Sequence, residues 1–336
     1  MRYREDHKAT EKYKREYLNG INHIIECRQR DAQLTRNKYI KDIFKNQEEY
    51  RDDLKTMLGW PLVENDTNKL PDVTTEKLSD EDGYSIYRMQ FEILDGLKLT
   101  GLFFKMDGEE KKPLVIVQHG RLGTPEIISG FYGDTGNYND MLKRIIKHGV
   151  HAFVPQLLLW NNEVYGVEYD RTEIDARLKR VGSSITAIEI YGIVKILDYF
   201  EKENYVSNFG MVGLSYGGFY TLLTSAIDTR IKSSISCSYF NNRDFYRHSD
   251  WTWFKSAEMF DDAEIACMVY PRRLCIEIGV NDEIFDYRYG VESFEMVKQI
   301  SEECQQEWIN LITFGGTHEF CMEDEPIQRL VNDIMN

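Results

Sequence analysis

Residues 208–218 read Asn-Phe-Gly-Met-Val-Gly-Leu-Ser-Tyr-Gly-Gly, an apolar run that leads into a serine flanked by glycines. A sharp strand-to-helix turn holds a serine hydroxyl clear of the sheet, although it strains the serine backbone. Such a turn leaves no room for side chains two residues before and after the serine, where Gly213 and Gly217 stand. The stretch therefore predicts a strand, a turn that carries Ser215 as a nucleophile, and a helix whose first amides favour negative charge.

The Gly-x-Ser-x-Gly pattern is modest evidence when taken alone, because a chain of this length contains one by chance roughly 0.1 times. The alternative is a glycine-rich turn with an incidental serine. The position after a strand-like run and before a helix-like run favours the nucleophile.

Two later loops supply the residue types that an activated serine needs. Residues 276–282 place Asp282 just past a predicted strand, and residues 312–318 place His318 just past the next one. The order serine, aspartate, histidine is the one expected of an α/β-hydrolase triad. His318 would act as general base and Asp282 would orient its ring. The alternative acids are Glu277, Glu283 and Asp286, and the alternative for His318 is a solvated loop histidine.

A third strand end carries His119-Gly120-Arg121, after the apolar run that begins at residue 112. This loop is expected beside the serine. The backbone amides of Arg121 and Tyr216 would then form an oxyanion hole. The ring of His119 is expected to hold the loop by hydrogen bonds rather than to take part in the reaction.

The order of predicted elements indicates the fold class. Period-two patterns predict antiparallel strands at 73–78, 84–94 and 97–106, the last pair joined by a turn at Asp95-Gly96. Strands then alternate with helices from residue 112 to the end, which is typical of a mostly parallel, twisted sheet with helices on both faces. We expect a doubly wound α/β fold.

The first 68 residues form a separate unit in this prediction. Apolar residues recur at helical spacing from Tyr13 to Leu58, and residues 1–55 hold 14 Lys and Arg against 11 Asp and Glu. We expect a helical arm or cap over residues 1–68, followed by a catalytic domain over 69–336. The arm could pack on its own acidic body, on a second subunit as a homo-oligomer, or over the mouth of the site.

Composition excludes several classes of protein. The net charge of −15 disfavours binding to nucleic acid or to an anionic membrane. A charged N-terminus and the absence of an apolar run of about 18 residues disfavour a secretion signal or a membrane span. We therefore expect a cytoplasmic protein. The six cysteines lack metal spacing, and we expect buried free thiols with no metal and no cofactor.

Two insertions after strands, at 156–181 and 241–262, could form a lid. Trp251 and Trp253 lie in the second and Trp160 in the first, and Tyr132 follows the His119 loop. These four residues are candidates for substrate contact, in a sugar or aryl ester site. Packing of the two tryptophans against the N-terminal helices is the alternative.

The set His119-Gly120, Gly213 to Gly218, Asp282 and His318-Glu319 resembles the α/β-hydrolase superfamily, in the branch with dienelactone hydrolase-like esterases, acetylxylan esterases and the prolyl-oligopeptidase catalytic domain. The resemblance covers residues 73–336. This chain has a serine where dienelactone hydrolases proper use a cysteine as nucleophile. The resemblance therefore does not imply that this chain shares their substrate.

The resemblance implies a serine esterase that acts on a small acyl ester, including an acetylated carbohydrate, through an acyl-enzyme. A prolyl-oligopeptidase-like peptidase is the alternative, suggested by the sequence Ser-Tyr-Gly-Gly; only helices precede the catalytic domain here, where those peptidases carry a β-propeller. A catalytically silent binding protein is a third possibility, which the complete triad disfavours.

Overall fold

The computed structural model describes residues 2–60, 69–94, 96–159, 167–302, 304 and 306–336. These residues contain a sheet of nine strands in the order β1-β2-β3-β5-β4-β6-β7-β8-β9. The strands are β1 (Asp72–Glu81), β2 (Tyr84–Leu94), β3 (Leu97–Met106), β4 (Lys112–Gln118), β5 (His151–Pro155), β6 (Val206–Leu214), β7 (Ile231–Cys237), β8 (Arg273–Gly279) and β9 (Ile309–Phe314).

The first three strands form an antiparallel meander at one edge, as the period-two pattern predicts. The β2–β3 pair closes with Leu94 opposite Leu97, so the predicted hairpin is confirmed; Asp95 itself lies outside the described residues. β3 then pairs antiparallel with β5, which joins the meander to the rest of the sheet.

From β5 to β9 every pairing is parallel. β4 lies near the middle, and its Val115, Ile116 and Val117 have no exposed surface. Ile116 belongs to the hydrophobic core on one face of the sheet, and its two neighbours belong to the core on the other face. A strand buried on both faces is continuously apolar, which explains the pattern that predicted it.

The helices are α1 (Glu11–Tyr39), α2 (Gln47–Leu58), α3 (Pro125–Ile128), α4 (Met141–Ile146), α5 (Arg171–Arg180), α6 (Ile185–Lys202), α7 (Tyr216–Ile227), α8 (Asp262–Cys267), α9 (Tyr287–Ile300) and α10 (Glu325–Met335). Short 3₁₀ helices span His7–Thr10, Gly136–Tyr138, Ser249–Trp251, Ser256–Glu258 and Gln306–Trp308. α2, α6, α7, α8 and α9 cover one face, and α3, α4 and α10 cover the other. The described residues contain no helix long and apolar enough to cross a bilayer.

Several helices differ from the sequence prediction, and two of them lie near the site. α9 begins at Tyr287, four residues before the apolar pattern that predicts a helix over 291–304, because the Asp286 carboxylate accepts a hydrogen bond from the amide of Arg288 and starts the helix there. α5 was not predicted; it lies in the first insertion, where a charged sequence gives no clear apolar stripe. Asp170 caps it through the amide of Glu173.

α1 contacts the body through its C-terminal part, and α2 contacts it along its length, from Gln47 to Leu58. Arg36 of α1 forms ion pairs with Glu264 at 3.0 Å and Asp261 at 2.9 Å. The guanidinium of Arg51 in α2 donates to the carbonyls of Ala226 and Met268. These basic contacts with the body correspond to the first of the three arrangements considered above. Residues 11–26 of α1, in contrast, are all exposed.

Candidate active site

Ser215 stands at the turn between β6 and α7. Its backbone has φ 61° and ψ −121°, a conformation that a non-glycine residue adopts only under strain. A Cβ at Gly213 would lie 2.3 Å from the carbonyl of Gly217, and a Cβ at Gly217 would lie 2.2 Å from the carbonyl oxygen of Gln118. Both glycines are therefore required by close backbone approach, as the sequence predicts for a turn that presents a serine.

The imidazole of His318 is bonded to Asp282. His318 Nδ1 lies 2.8 Å from Asp282 Oδ2, and the carboxylate has no exposed surface. A carboxylate only accepts hydrogen bonds, so Nδ1 carries the proton and Nε2 of the neutral ring is left as an acceptor. Asp282 Oδ1 in turn accepts from the amides of Ile284 and Phe285 at 2.8 and 3.0 Å. This tautomer is the one that a general base at Nε2 requires.

The other three carboxylates do not occupy this position. Glu277 is buried inside β8 next to Cys237, Glu283 is exposed, and Asp286 bonds Arg288 at the start of α9. Burial raises the pKa of the Glu277 carboxyl to about 7. Among the four candidates, Asp282 is the one bonded to the imidazole.

The loop that carries His318 is tied to its surroundings by backbone contacts. The side chain of Asn137 donates to the carbonyl of His318 at 2.9 Å, and Ser238 Oγ donates to the carbonyl of Glu319 at 3.1 Å. The residue before Ser238, Cys237, accepts the amide of Ser215 at its carbonyl, at 2.9 Å. The end of β7 thus links the serine turn to the histidine loop.

The His119 loop lies directly against the serine turn. A Cβ on Gly120 would stand 2.9 Å from the carbonyl oxygen of Leu214 and 3.1 Å from Cβ of Ser215. The amide of Gly120 donates to the hydroxyl of Tyr138 at 2.9 Å. Arg121, the next residue, lines the same cavity as Ser215 and Tyr216. The two residues predicted to supply oxyanion donors are therefore both beside the serine.

His119 holds this loop in place. Its Nε2 accepts the amide of Leu157 at 3.1 Å, so its Nδ1 carries the proton and donates to the carbonyl of Gly120 at 2.9 Å. Burial lowers the pKa of His119 to about 4, and the ring is neutral at pH 7. These bonds agree with the structural role expected from the sequence.

A cavity of about 700 Å³ opens over the serine. Ser215 and His318 both line it, and its volume is in the range typical of small-molecule sites. Most of its wall is apolar or aromatic. The described lining includes Leu122, Ile127, Tyr132, Tyr138, Trp251, Ile284 and Phe285, together with the polar residues Arg121, Asp134, Thr135, Asn137 and His248.

Comparison with known proteins identifies the architecture. No family model matches the chain. A protein of Bacillus subtilis (strain 168) named "Putative hydrolase YtaP" is 24% identical over 242 residues, which cover 65% of this chain and 81% of that protein.

Two solved esterase structures are similar over most of their length. One, titled "putative acetyl xylan esterase" from Bacteroides fragilis NCTC 9343, superposes with a TM-score of 0.62 at 15% identity and covers 88% of this chain and 83% of its own. The second is a glucuronoyl esterase from Solibacter usitatus, with a TM-score of 0.60 at 13% identity, covering 85% and 90% of the two chains. This chain has the α/β-hydrolase fold. The predicted fold class is confirmed.

The four residues that were candidates for substrate contact lie in different places. Trp251 and Tyr132 line the cavity, Trp251 from a buried position and Tyr132 from an exposed one. Trp253 is buried outside the described lining, with Lys179 and Arg243 near its ring. Trp160 lies outside the described residues.

Sequence reasoning missed His248 as a cavity residue. It lines the cavity next to Trp251, with ring centroids 4.7 Å apart, and burial lowers its pKa below the ordinary value. His248 stands in an irregular insertion whose sequence has neither a helical nor a strand period. The nearby Asp250 does not mark His248 as a site residue either. Its closeness to the serine depends on how the insertion folds back over the sheet.

Proposed function

We propose that this protein is a serine hydrolase that cleaves a small carboxylic ester through an acyl-enzyme. The observation that carries the proposal is the strained turn at Ser215 in one cavity with His318, whose ring is bonded to a buried Asp282. An ordered imidazole with an acceptor at Nε2, in the same cavity as an outward serine, is the arrangement that activates a hydroxyl.

In the proposed mechanism, His318 Nε2 removes the Ser215 proton as Oγ attacks the ester carbonyl. The carbonyl oxygen becomes an oxyanion, which the amides of Arg121 and Tyr216 would stabilise. The tetrahedral intermediate collapses, the alcohol leaves with the proton held by His318, and Ser215 is left acylated. Water, deprotonated by His318, then attacks the acyl group, releases the carboxylic acid and restores the serine hydroxyl. Asp282 stabilises the imidazolium formed in each half-reaction.

We further propose an acetylated carbohydrate as the substrate class. A cavity of about 700 Å³ is much larger than an acetyl group needs, so most of it is available to the alcohol portion. Aromatic side chains such as Tyr132 and Trp251 present flat apolar faces suited to a sugar ring. The similar solved structures named above are titled acetyl xylan esterase and glucuronoyl esterase, and both titles name esterases of carbohydrates.

The test is hydrolysis of p-nitrophenyl acetate by the wild type and by Ser215→Ala. We expect the variant to lose at least about 10⁴-fold in kcat with its fold unchanged by circular dichroism. Ser225→Ala is the matched control, because this serine is buried in α7, the helix that follows Ser215, and its loss should leave kcat unchanged. Equal activity of Ser215→Ala and wild type would refute the proposal. Faster cleavage of a proline amide than of the ester would favour the peptidase alternative.

The proposed organisation has a catalytic domain over 69–336, with lid-like insertions at 156–181 and 241–262, and a helical arm over 1–68. We propose a cytoplasmic location, which is supported by the six cysteines: all lie in the described part of the chain, and no two of them form a disulfide bond.

We also propose that the arm joins a second copy of this chain. Residues 11–26 of α1 are exposed along their whole length, although an isolated helix of this size is marginal in water. Apolar side chains form a stripe on one side of it: Tyr13, Tyr17, Leu18, Ile21, Ile24 and Ile25. Their exposed surface is on the order of 700 Å² per copy, close to the roughly 800 Å² that each partner gives to a standard interface.

A further inference from the structure

A buried cluster of charges lies under the cavity and joins the two insertions. Arg171, from the first insertion, has no exposed surface. Its Nε donates to Asp250 Oδ2 of the second insertion at 2.9 Å, and its terminal nitrogens donate to Glu189 of α6 at 3.1 and 2.9 Å. The same guanidinium also donates to the carbonyl of Leu158 at 2.8 Å.

The two carboxylates of this cluster keep the guanidinium of Arg171 protonated. Burial by itself lowers the pKa of Arg171, but the charges of Glu189 and Asp250 and the hydrogen bond to Glu189 raise it well above its ordinary value. The guanidinium therefore stays protonated and paired. A buried ion that loses one partner is strongly destabilised, so the two insertions are held together firmly at this point.

Asp250 makes a second connection, toward the serine turn. Its Oδ1 accepts a hydrogen bond from the hydroxyl of Tyr216 at 3.2 Å. Tyr216 directly follows Ser215, and its amide is one of the two proposed oxyanion donors. Its ring also packs against Trp251, with centroids 4.6 Å apart. The side chain of Tyr216 is thus fixed from the second insertion, while the residue itself lines the cavity.

The segment around Asp250 also forms part of the cavity wall. His248 and Trp251 line the cavity, and Asp250 between them is 1% exposed and points to Arg171 and Tyr216. One buried carboxylate therefore holds both a stretch of cavity wall and the residue after the nucleophile.

We propose that Asp250, held by Arg171, is a positioning residue for ester hydrolysis: it sets the backbone of Tyr216 in the oxyanion hole and the wall formed by His248 and Trp251. This inference rests on the proposed function. The two insertions would then complete the site together, through the buried ion pair of Arg171 with Asp250. Displacing a catalytic group by about 1 Å can reduce a rate by as much as 10²-fold, so small errors in this position matter.

The chain contains a matched control for this cluster. The hydroxyl of Tyr239 donates to Asp262 Oδ1 at 2.9 Å, and Asp262 is paired with the buried Arg243 at 2.7 Å. This is the same combination of tyrosine, aspartate and arginine in a comparably buried setting. None of the three is in the described cavity lining. Removing the Tyr239 hydroxyl therefore measures how the loss of such a hydrogen bond affects stability, without a change at the cavity.

The experiment compares Tyr216→Phe with Tyr239→Phe in the full chain. Both keep the aromatic ring and remove one hydroxyl. For each variant, kcat and KM are measured with p-nitrophenyl acetate, together with the midpoint of thermal unfolding and the rate at which a fluorophosphonate labels Ser215. We expect Tyr216→Phe to lose about 10-fold in kcat, with KM changed less than twofold and labelling slowed in parallel. Tyr239→Phe should unfold at a similarly lowered temperature with kcat unchanged.

A kcat for Tyr216→Phe within twofold of wild type would overturn the inference. So would an equal loss of kcat in Tyr239→Phe, because the effect would then follow stability and not position. A wild type that neither hydrolyses esters nor reacts with the fluorophosphonate would instead refute the proposed function.

Discussion

Replacing Asp282 by asparagine tests the proton arrangement of the site. Asp282 Oδ1 accepts two backbone amides, from Ile284 and Phe285, while Oδ2 faces Nδ1 of His318. An asparagine must keep its carbonyl oxygen toward the two amides, because its NH₂ group would meet donors there. The NH₂ group then faces His318 Nδ1 and can only donate. The imidazole is forced into the tautomer with its proton on Nε2, which cannot accept the proton of Ser215.

The expected loss follows from that tautomer. The same change of aspartate to asparagine in a serine protease triad lowers kcat by about 10⁴-fold, which is about 5 kcal/mol of transition-state stabilisation. We expect a loss of similar size here at pH 7. KM should change much less, since Asp282 is not among the described residues that line the cavity.

The control is Asp286→Asn, which removes the charge of a nearby carboxylate that bonds Arg288 instead of the histidine. It should keep kcat within about twofold. Thermal unfolding first shows that both variants fold. Their kcat values for p-nitrophenyl acetate are then compared with that of wild type. An Asp282→Asn enzyme that keeps more than a tenth of the wild-type kcat would refute the assignment of His318 and Asp282 as base and orienting acid.

Two further predictions concern stability and assembly. Between pH 4.5 and about 7 the folded chain holds a proton on Glu277 that the unfolded chain releases, so its contribution to stability falls as pH rises through this range. Glu277→Gln removes this loss, so the difference in free energy of unfolding between the variant and wild type, measured with guanidinium, should rise by about 2.5 kcal/mol from pH 5 to pH 8. Light scattering should give twice the chain mass of 39.6 kDa for the wild type and the single mass for Ile24→Glu.

Each of these has its own control. The exposed Glu283→Gln should follow the pH dependence of the wild type, and parallel curves for Glu277→Gln and wild type would show that the buried carboxyl does not titrate there. Asn19→Glu, on the side of α1 away from the apolar stripe, should leave the larger mass intact. A wild type that has the mass of one chain would contradict association through the arm.

Much of the fold was predictable because its strands have clear periods. β2 and β3 have the bounds that alternation predicted, and β4 was recognised because both of its faces are buried. The loops after β8 and β9 were also predictable as the positions of Asp282 and His318, since parallel strands end at one edge of the sheet. Pattern and topology are local or regular properties, so the sequence expresses them directly.

The insertions were not predictable in this way. Trp251 and Trp253 are two residues apart and looked equivalent in the sequence, yet the first lines the cavity and the second is buried elsewhere. Trp251 is the last residue of the 3₁₀ turn Ser249–Trp251, and Trp253 lies after it. Its position depends on the buried pair of Asp250 with Arg171, which are 79 residues apart.

The sequence by itself determined the alternation of strands and helices, the glycine-framed turn at Ser215 and the loops of Asp282 and His318, because spacing and residue type are enough to specify these features. Only the tertiary structure decided that Asp282 is the carboxylate bonded to His318, that His248 joins the cavity, and that Arg171 ties the insertions to Tyr216. The physical reason is that such contacts join residues distant in sequence, and their geometry depends on the packing of the whole core.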